Sequence, residues 1–172
     1  MRVIGIDPGN AVTGFGVVER SGSLQFVAAG TIRARRIISR PQRLATIYQE
    51  LLQLLDQYKP DAMSLERSFV ALNVQSAFAL GEARAIAMLA AAHRELEVFE
   101  YTPTDVKLSV AGYGRADKQQ VKQMVRRTLM LNDGCELADD AADALAIALC
   151  HSFQARELSA PRNQRSDRLA KS

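Results

Sequence analysis

The chain has 172 residues, 48% apolar and 24% charged, the composition of an ordinary globular domain long enough for one full core, so one domain is the default. Cys135, Cys150, His93 and His151 are scattered, which argues against a disulfide framework or a zinc site and leaves all four as structural residues. No apolar stretch unbroken by charge reaches the roughly 18 residues of a membrane span, and Met1-Arg2-Val3 leads straight into a strand pattern instead of a signal peptide, so a cytoplasmic location is expected.

The net charge of +3 resides wholly in the C-terminal segment, where Arg156, Arg162, Arg165, Arg168 and Lys171 outnumber Glu157 and Asp167. This divides the chain into an electroneutral folded domain over 1–155 and a basic tail over 156–172, poor in apolar residues toward its end and expected to be disordered. Within the domain, Arg33, Arg35, Arg36, Arg40 and Arg43 form one basic cluster, and Arg115, Lys118, Lys122, Arg126 and Arg127 another.

The first third reads as an antiparallel meander with strands near 2–7, 13–20 and 24–32, separated by the turn signals Asp7-Pro8-Gly9-Asn10 and Ser21-Gly22-Ser23. Pro41 opens a helix whose apolar positions Leu44, Ile47, Tyr48, Leu51, Leu55 and Tyr58 recur every three or four residues, and Pro60 closes it. The short apolar run Ala62 to Leu65, ending on Glu66, fits a buried parallel strand beside the first. Residues 74–93 predict a helix apolar on nearly all sides, with Ala77, Gly81 and Ala85 small enough for another helix to approach. Such a helix needs cover on both sides, and in a domain this small that suggests a second subunit.

Val98, Phe99 and Tyr101 predict a fifth strand, and the Gly112-Tyr113-Gly114 turn precedes a helix whose Asp117 and Gln120 have capping-box spacing. That helix has an apolar stripe (Val121, Met124, Val125, Leu129) and a basic one (Lys118, Lys122, Arg126) that meets something anionic or only water. A loop from Asn132 to Leu137 leads to the last helix. The order is three antiparallel strands, αβαβ, then two helices. This is an α/β domain of ribonuclease-H-like order, a mixed five-stranded sheet flanked by helices.

Four acids sit where this chain should be most apolar. Asp7 ends Val3-Ile4-Gly5-Ile6, Glu66 ends Met63-Ser64-Leu65, and Asp140 and Asp143 head the apolar run Ala144 to Leu149. A carboxylate there costs several kcal/mol unless it is paired, hydrogen-bonded or bound to a cation. Strands one and four, if adjacent and parallel, bring Asp7 and Glu66 to one C-terminal edge. Asp140 and Asp143, three apart on a helix, share a face with Cβ atoms about 5–6 Å apart. Four hard oxygen donors without nearby His or Cys favour Mg²⁺ or Mn²⁺ over zinc. Two such ions about 4 Å apart could serve an in-line phosphodiester displacement, with Lys107 and Lys118 offsetting phosphate charge.

Each acid has an ordinary reading in isolation: Asp7-Pro8-Gly9 as a turn, Asp139 and Asp140 as a helix cap, Glu66 as a surface acid. Their joint placement favours a site, with Asp139 left as the cap.

Gly5-Ile6-Asp7-Pro8-Gly9, Thr13-Gly14-Phe15-Gly16-Val17-Val18, Leu65-Glu66 with Phe69 and Asn73, Val106-Lys107, Gly112-Tyr113-Gly114, Lys118, and Asp140-Ala141-Ala142-Asp143 through Ala148 resemble, in order over about residues 3–152, the RuvC family of Holliday-junction resolvases. The resemblance implies a homodimeric, Mg²⁺-dependent endonuclease of recombination and repair, with two ions per active site and Mn²⁺ able to substitute. It implies paired symmetric nicks in a four-way DNA junction, leaving 5′-phosphate and 3′-hydroxyl ends, and a RuvA-RuvB branch-migration complex as partner. Carried over by position, Asp7, Glu66, Asp140 and Asp143 match the metal-binding catalytic acids, and Lys107 and Lys118 the catalytically important lysines. Phe69 matches an aromatic that stacks on a base, a contact worth roughly 1–3 kcal/mol. Asn73, Arg115 and Lys122 are further expected DNA contacts, and the helix near 74–93 the expected dimer contact.

Three rivals make distinct demands. An actin-like sugar kinase would share the Gly5-to-Gly9 loop but needs a second Gly-rich phosphate loop, which these residues lack, and a second domain, which 172 residues are not expected to accommodate. A YqgF-type RNA-processing nuclease shares the opening motif but is less well matched by the chain length, the central apolar helix and the basic stripe after Gly114. A non-catalytic junction-binding module would be expected to have lost at least one of the four acids.

Overall fold

The computed structural model describes residues 1–9, 12–33, 39–67, 74–132, 134 and 136–159. Five strands, β1 (Arg2–Asp7), β2 (Thr13–Ser21), β3 (Ser23–Ile32), β4 (Ala62–Glu66) and β5 (Glu97–Tyr101), form one sheet in the order β3-β2-β1-β4-β5. The meander pairs antiparallel through β1, β2 and β3, whereas β4 and β5 add parallel to β1. The helices α1 (Arg40–Tyr58) and α2 (Val74–Ala92) provide the crossovers that parallel strands require. The ribonuclease-H-like arrangement expected from the pattern of elements is the one observed.

Strand alternation sends Ile4 and Ile6 to one face of the sheet, where they pack with Met63, Leu65, Leu51 and Ala87 under α1 and α2. Val3 and Val18 point to the other face, under α3 (Pro103–Ala111), α4 (Lys118–Thr128) and α5 (Asp139–Ser159). α5 lies across the middle of that face with Leu145, Ile147 and Leu149 fully buried.

The sequence pattern anticipates two helices after β5, and there are three. α3 is only nine residues long, too short for a clear apolar period, yet its ends carry strong signals. Thr102 and Asp105 form a reciprocal capping box, Pro103 occupies the first turn, and Gly112 terminates the helix at φ 83°. α4 begins on the expected box, with the Gln120 N–H donating to Asp117 Oδ1 at 2.8 Å and the Asp117 N–H to Gln120 Oε1 at 2.9 Å.

α2 has two contrasting sides. Ala83, Ala87, Ala90 and Ala91 are buried, while Val74 is 70% and Phe78 66% exposed, with Leu89 at 45%. A side chain added at Gly81 would meet nothing within 4 Å. His151 is buried against Tyr101, whose hydroxyl lies 2.7 Å from Nδ1, and it stacks on Phe99. Burial pushes the Cys150 thiol up to about 11, as suits an inert core residue. Cys135 lies outside the described residues. α5 continues through Ser159, past the expected start of the tail at 156, and residues 160–172 are not among those described. No helix among the described residues is long and apolar enough to cross a membrane.

Candidate active site

Three elements converge at one edge of the sheet. β1 and β4 run parallel with Ile6 opposite Leu65, so the residues that follow, Asp7 and Glu66, end adjacent strands side by side. Asp7 is also paired in register with Gly14 of β2. An ideal Cβ on Gly14 would lie 2.0 Å from the backbone oxygen of Asp140, and one on Gly5 2.1 Å from that of Ala144. Only hydrogen at these positions lets α5 settle onto the sheet with its first turn over Asp7. Deeper in, Ser64 Oγ donates to the Ile147 carbonyl at 3.2 Å, tying β4 to the same helix.

This packing brings the four anticipated acids into one electrostatic unit. The Asp7 carboxyl is pushed up to about 7, first by burial, then by the charges of Asp143, Glu66 and Asp140, with Lys118 opposing. Two mechanisms thus act together: a low-dielectric position and like charge.

Cations from α4 border the acids. Lys118 Nζ lies 3.2 Å from Asp143 Oδ2, and the side chain is 83% exposed, so the ammonium sits at the mouth of the site. The charge of Asp143 is the largest cause holding its pKa above the ordinary lysine value. Lys122 Nζ meets Asp139 Oδ1 at 2.7 Å, and this hydrogen bond is the main cause of the lowered Asp139 pKa. Arg126 donates to the Asn132 carbonyl at 2.6 Å. The basic stripe therefore packs in part on acids of its own chain. Asp139 stands inside the first turn of α5 and not at its cap, since the Ala142 N–H donates to the Ala138 carbonyl.

Among the other expected residues, Lys107 is half-buried on α3 and makes no ion pair with the four acids among the described residues. Arg115 is exposed between α3 and α4. Phe69 and Asn73 lie outside the described residues. Two features escaped sequence reasoning. One is the glycine surface of Gly5, Gly14 and Gly16, whose signal was alternate glycines on paired strands. The other is Arg84, an arginine on an otherwise apolar helix, which donates from Nη1 to the Glu66 carbonyl at 2.7 Å.

The donor chemistry fits a hard divalent cation: every converging group is a carboxylate, and their repulsion on Asp7 is a cost that such a cation would relieve. The spacing is more open than a finished cage. Among the described residues no three His, Cys, Asp or Glu side chains stand close enough together to hold one ion, and Asp143 is engaged by Lys118.

Residues 3–151 match the family model described as crossover junction endodeoxyribonuclease RuvC. The protein of that name from Chloroflexus aggregans is 46% identical over 159 residues, 92% of this chain and 96% of that protein. The one from Thermotoga maritima is 43% identical over 157 residues, 91% of this chain and 93% of its own length. Among solved structures, Thermus thermophilus RuvC in complex with Holliday junction substrate superposes with a TM-score of 0.85 at 33% identity, covering 91% of this chain and 96% of that one. The yeast mitochondrial Holliday junction resolvase Ydc2, at 15% identity and a TM-score of 0.62, shares the fold. With the family match running from β1 into α5, and such relatives aligned along nearly their whole length, the chain belongs to the RuvC family of crossover junction endodeoxyribonucleases.

Proposed function

We propose that this chain cleaves four-way DNA junctions as a homodimer, each subunit placing one nick, with Asp7, Glu66, Asp140 and Asp143 as the acids that hold Mg²⁺. Mn²⁺ substitutes, and each site takes two ions. The observation that carries this reading is the convergence of the ends of β1 and β4 and the first turn of α5 at one half-buried edge, which brings Asp7, Glu66, Asp140 and Asp143 together; burial and the neighbouring acids push the Asp7 carboxyl up in consequence. When bound, the ions supply Lewis acidity for activating water and for the charge that develops on the leaving oxygen.

The chain's own groups do the rest. Asp7, whose carboxyl is pushed up by burial and by the neighbouring acids, is an acid whose ionised form a bound cation would favour. Lys118 stays protonated and exposed at the mouth, where its ammonium can meet a scissile phosphate after leaving Asp143. Lys107 and Arg115 are assigned to the approaching backbone, and Lys122 joins them by exchanging Asp139 for a phosphate. Phe69 and Asn73 are assigned to the crossover bases.

Pairing of two subunits through the exposed side of α2 sets two such sites on one junction, which yields symmetric nicks with 5′-phosphate and 3′-hydroxyl ends. RuvA and RuvB are the partners expected to deliver the junction. A junction and a structured RNA presented side by side test the substrate: the DNA junction is cleaved and the RNA is left intact. Preferential cleavage of the RNA would overturn the reading.

A further inference from the structure

The C-terminal end of β4 is held by a charged clamp in which Arg84 is the central member. Its side chain, 20% exposed on a helix whose neighbouring positions are mostly small and apolar, reaches the sheet and divides its fork between two acceptors. Nη1 donates to the Glu66 carbonyl oxygen at 2.7 Å, and Nη2 forms an ion pair with Glu100 Oε1 on β5. The other carboxylate oxygen of Glu100 lies 3.6 Å from Arg67 Nη2, and the Arg67 N–H donates to the Tyr101 carbonyl at 2.6 Å.

The peptide joining Glu66 to Arg67 is therefore fixed on both sides. Its N–H is tied to β5, its C=O to α2. This peptide is also where β4 stops, and without the clamp its carbonyl would have a strand end's freedom to rotate. A guanidinium in so apolar a setting is costly unless its donors are used, and here they are used on one carbonyl and one carboxylate. The planar fork fixes direction as well as distance, which an ammonium cannot do.

We infer that Arg84 is a positioning residue for the nuclease reaction: by holding the Glu66 carbonyl it sets where the Glu66 carboxylate stands relative to Asp7. The inference rests on the proposed role of Glu66 as a metal-holding acid. Outer groups that orient a ligand typically alter metal affinity or activity by about 10–100-fold, and displacements near 1 Å have effects of similar size.

The test uses the full chain with Arg84→Gln, Arg84→Lys and Glu66→Gln. Four quantities are compared: the single-turnover rate on a four-way junction in Mg²⁺, junction affinity in EDTA, Mn²⁺ affinity from the loss of the free-ion EPR signal, and the melting temperature. Arg84→Gln is expected to slow cleavage and weaken Mn²⁺ binding by about 10–100-fold each while leaving junction affinity unchanged. Arg84→Lys should recover part of both. A parent-like rate and Mn²⁺ affinity for Arg84→Gln, alongside an inactive Glu66→Gln, would overturn the inference and leave the role of Glu66 standing. A rate that falls only with melting temperature, at unchanged Mn²⁺ affinity, would overturn it in favour of a purely structural role. Should Arg84→Gln fail to fold, Arg84→Lys decides alone: Mn²⁺ affinity and rate equal to the parent's would overturn the inference, because an ammonium lacks the planar fork that fixes the Glu66 carbonyl. If Glu66→Gln cleaves like the parent, the assignment of Glu66 fails and the inference falls with it.

Discussion

The two faces of the sheet solve opposite problems. On the α5 face, Gly5, Gly14 and Gly16 bring a helix backbone almost into contact with the strands, and Ala144 through Cys150 are buried while the acids stand at the rim. On the α2 face, packing stops halfway: alanines are buried on one side of the helix while Val74, Phe78 and Leu89 stay exposed on the other. The contrast teaches where this chain is self-sufficient. The acidic site is assembled within one chain, whereas the outer side of α2 is the kind of surface that a partner covers.

The sharpest way to break the account of the α5 face is Asp7→Asn. If Asp7 holds a metal as proposed, loss of its charge removes several kcal/mol of transition-state stabilisation, and junction cleavage should fall on the order of 10³-fold. Little packing changes, and gel-shift affinity for the junction should remain near the parent's. A parent-like cleavage rate would remove Asp7 from the site.

For the α2 face, Ala77→Glu and Ala85→Glu each place a carboxylate on its outer side, where desolvation on pairing would cost several kcal/mol. If the proposed dimer forms through this face, sedimentation should show a dimer for the parent and monomers for both variants at the same concentration. Persistence of the dimer would move the interface elsewhere.

Gly14→Ala tests the close approach itself. The new methyl group meets the Asp140 carbonyl, so we expect roughly 1–3 kcal/mol of destabilisation, read as a lowered melting temperature together with slower cleavage. An unchanged melting temperature would mean that α5 does not depend on that glycine.

The raised pKa of Asp7 makes a further prediction for metal-free protein. Its folded-state value of about 7 lies above the ordinary 3.8, so folding favours the protonated form. That contribution is complete below about pH 4 and is lost as pH rises toward 7. In EDTA at pH 8, Asp7→Asn should therefore be more stable than the parent, by about 2 kcal/mol once partial exposure is allowed for. Near pH 4 the difference should vanish. A stability gain that does not depend on pH would contradict the electrostatic origin.

The smallest effect belongs to the rim. Lys122→Ala breaks the pair with Asp139, in which the acid is 84% exposed, so stability should change by less than about 1 kcal/mol. If Lys122 also meets phosphate, the salt dependence of junction binding should lose close to one counterion per subunit. An unchanged slope would leave it a helix-to-helix pair only.

Much of this contrast was legible in the sequence. Apolar runs ending in acids, the Pro41-to-Pro60 helix and the 117–120 capping box are local signals that can be read from adjacent residues, and the helix and the capping box are also satisfied locally. The missing helix α3 was legible in its caps but not in its periodicity. What could not be read was long-range partnership. That Gly14 faces Asp140, that Lys122 takes Asp139, and that Arg84 reaches Glu66 depend on how α2, α4 and α5 lie on the sheet, which no spacing along the chain encodes.

The most direct test of the central claim is a nick map on a mobile four-way junction with Mg²⁺ or EDTA, all four strands end-labelled. Paired nicks at symmetric positions on opposed strands, present with Mg²⁺ and absent with EDTA, are the predicted result. Cleavage that persists in EDTA, or nicks confined to one strand, would contradict a pair of metal-dependent acidic sites.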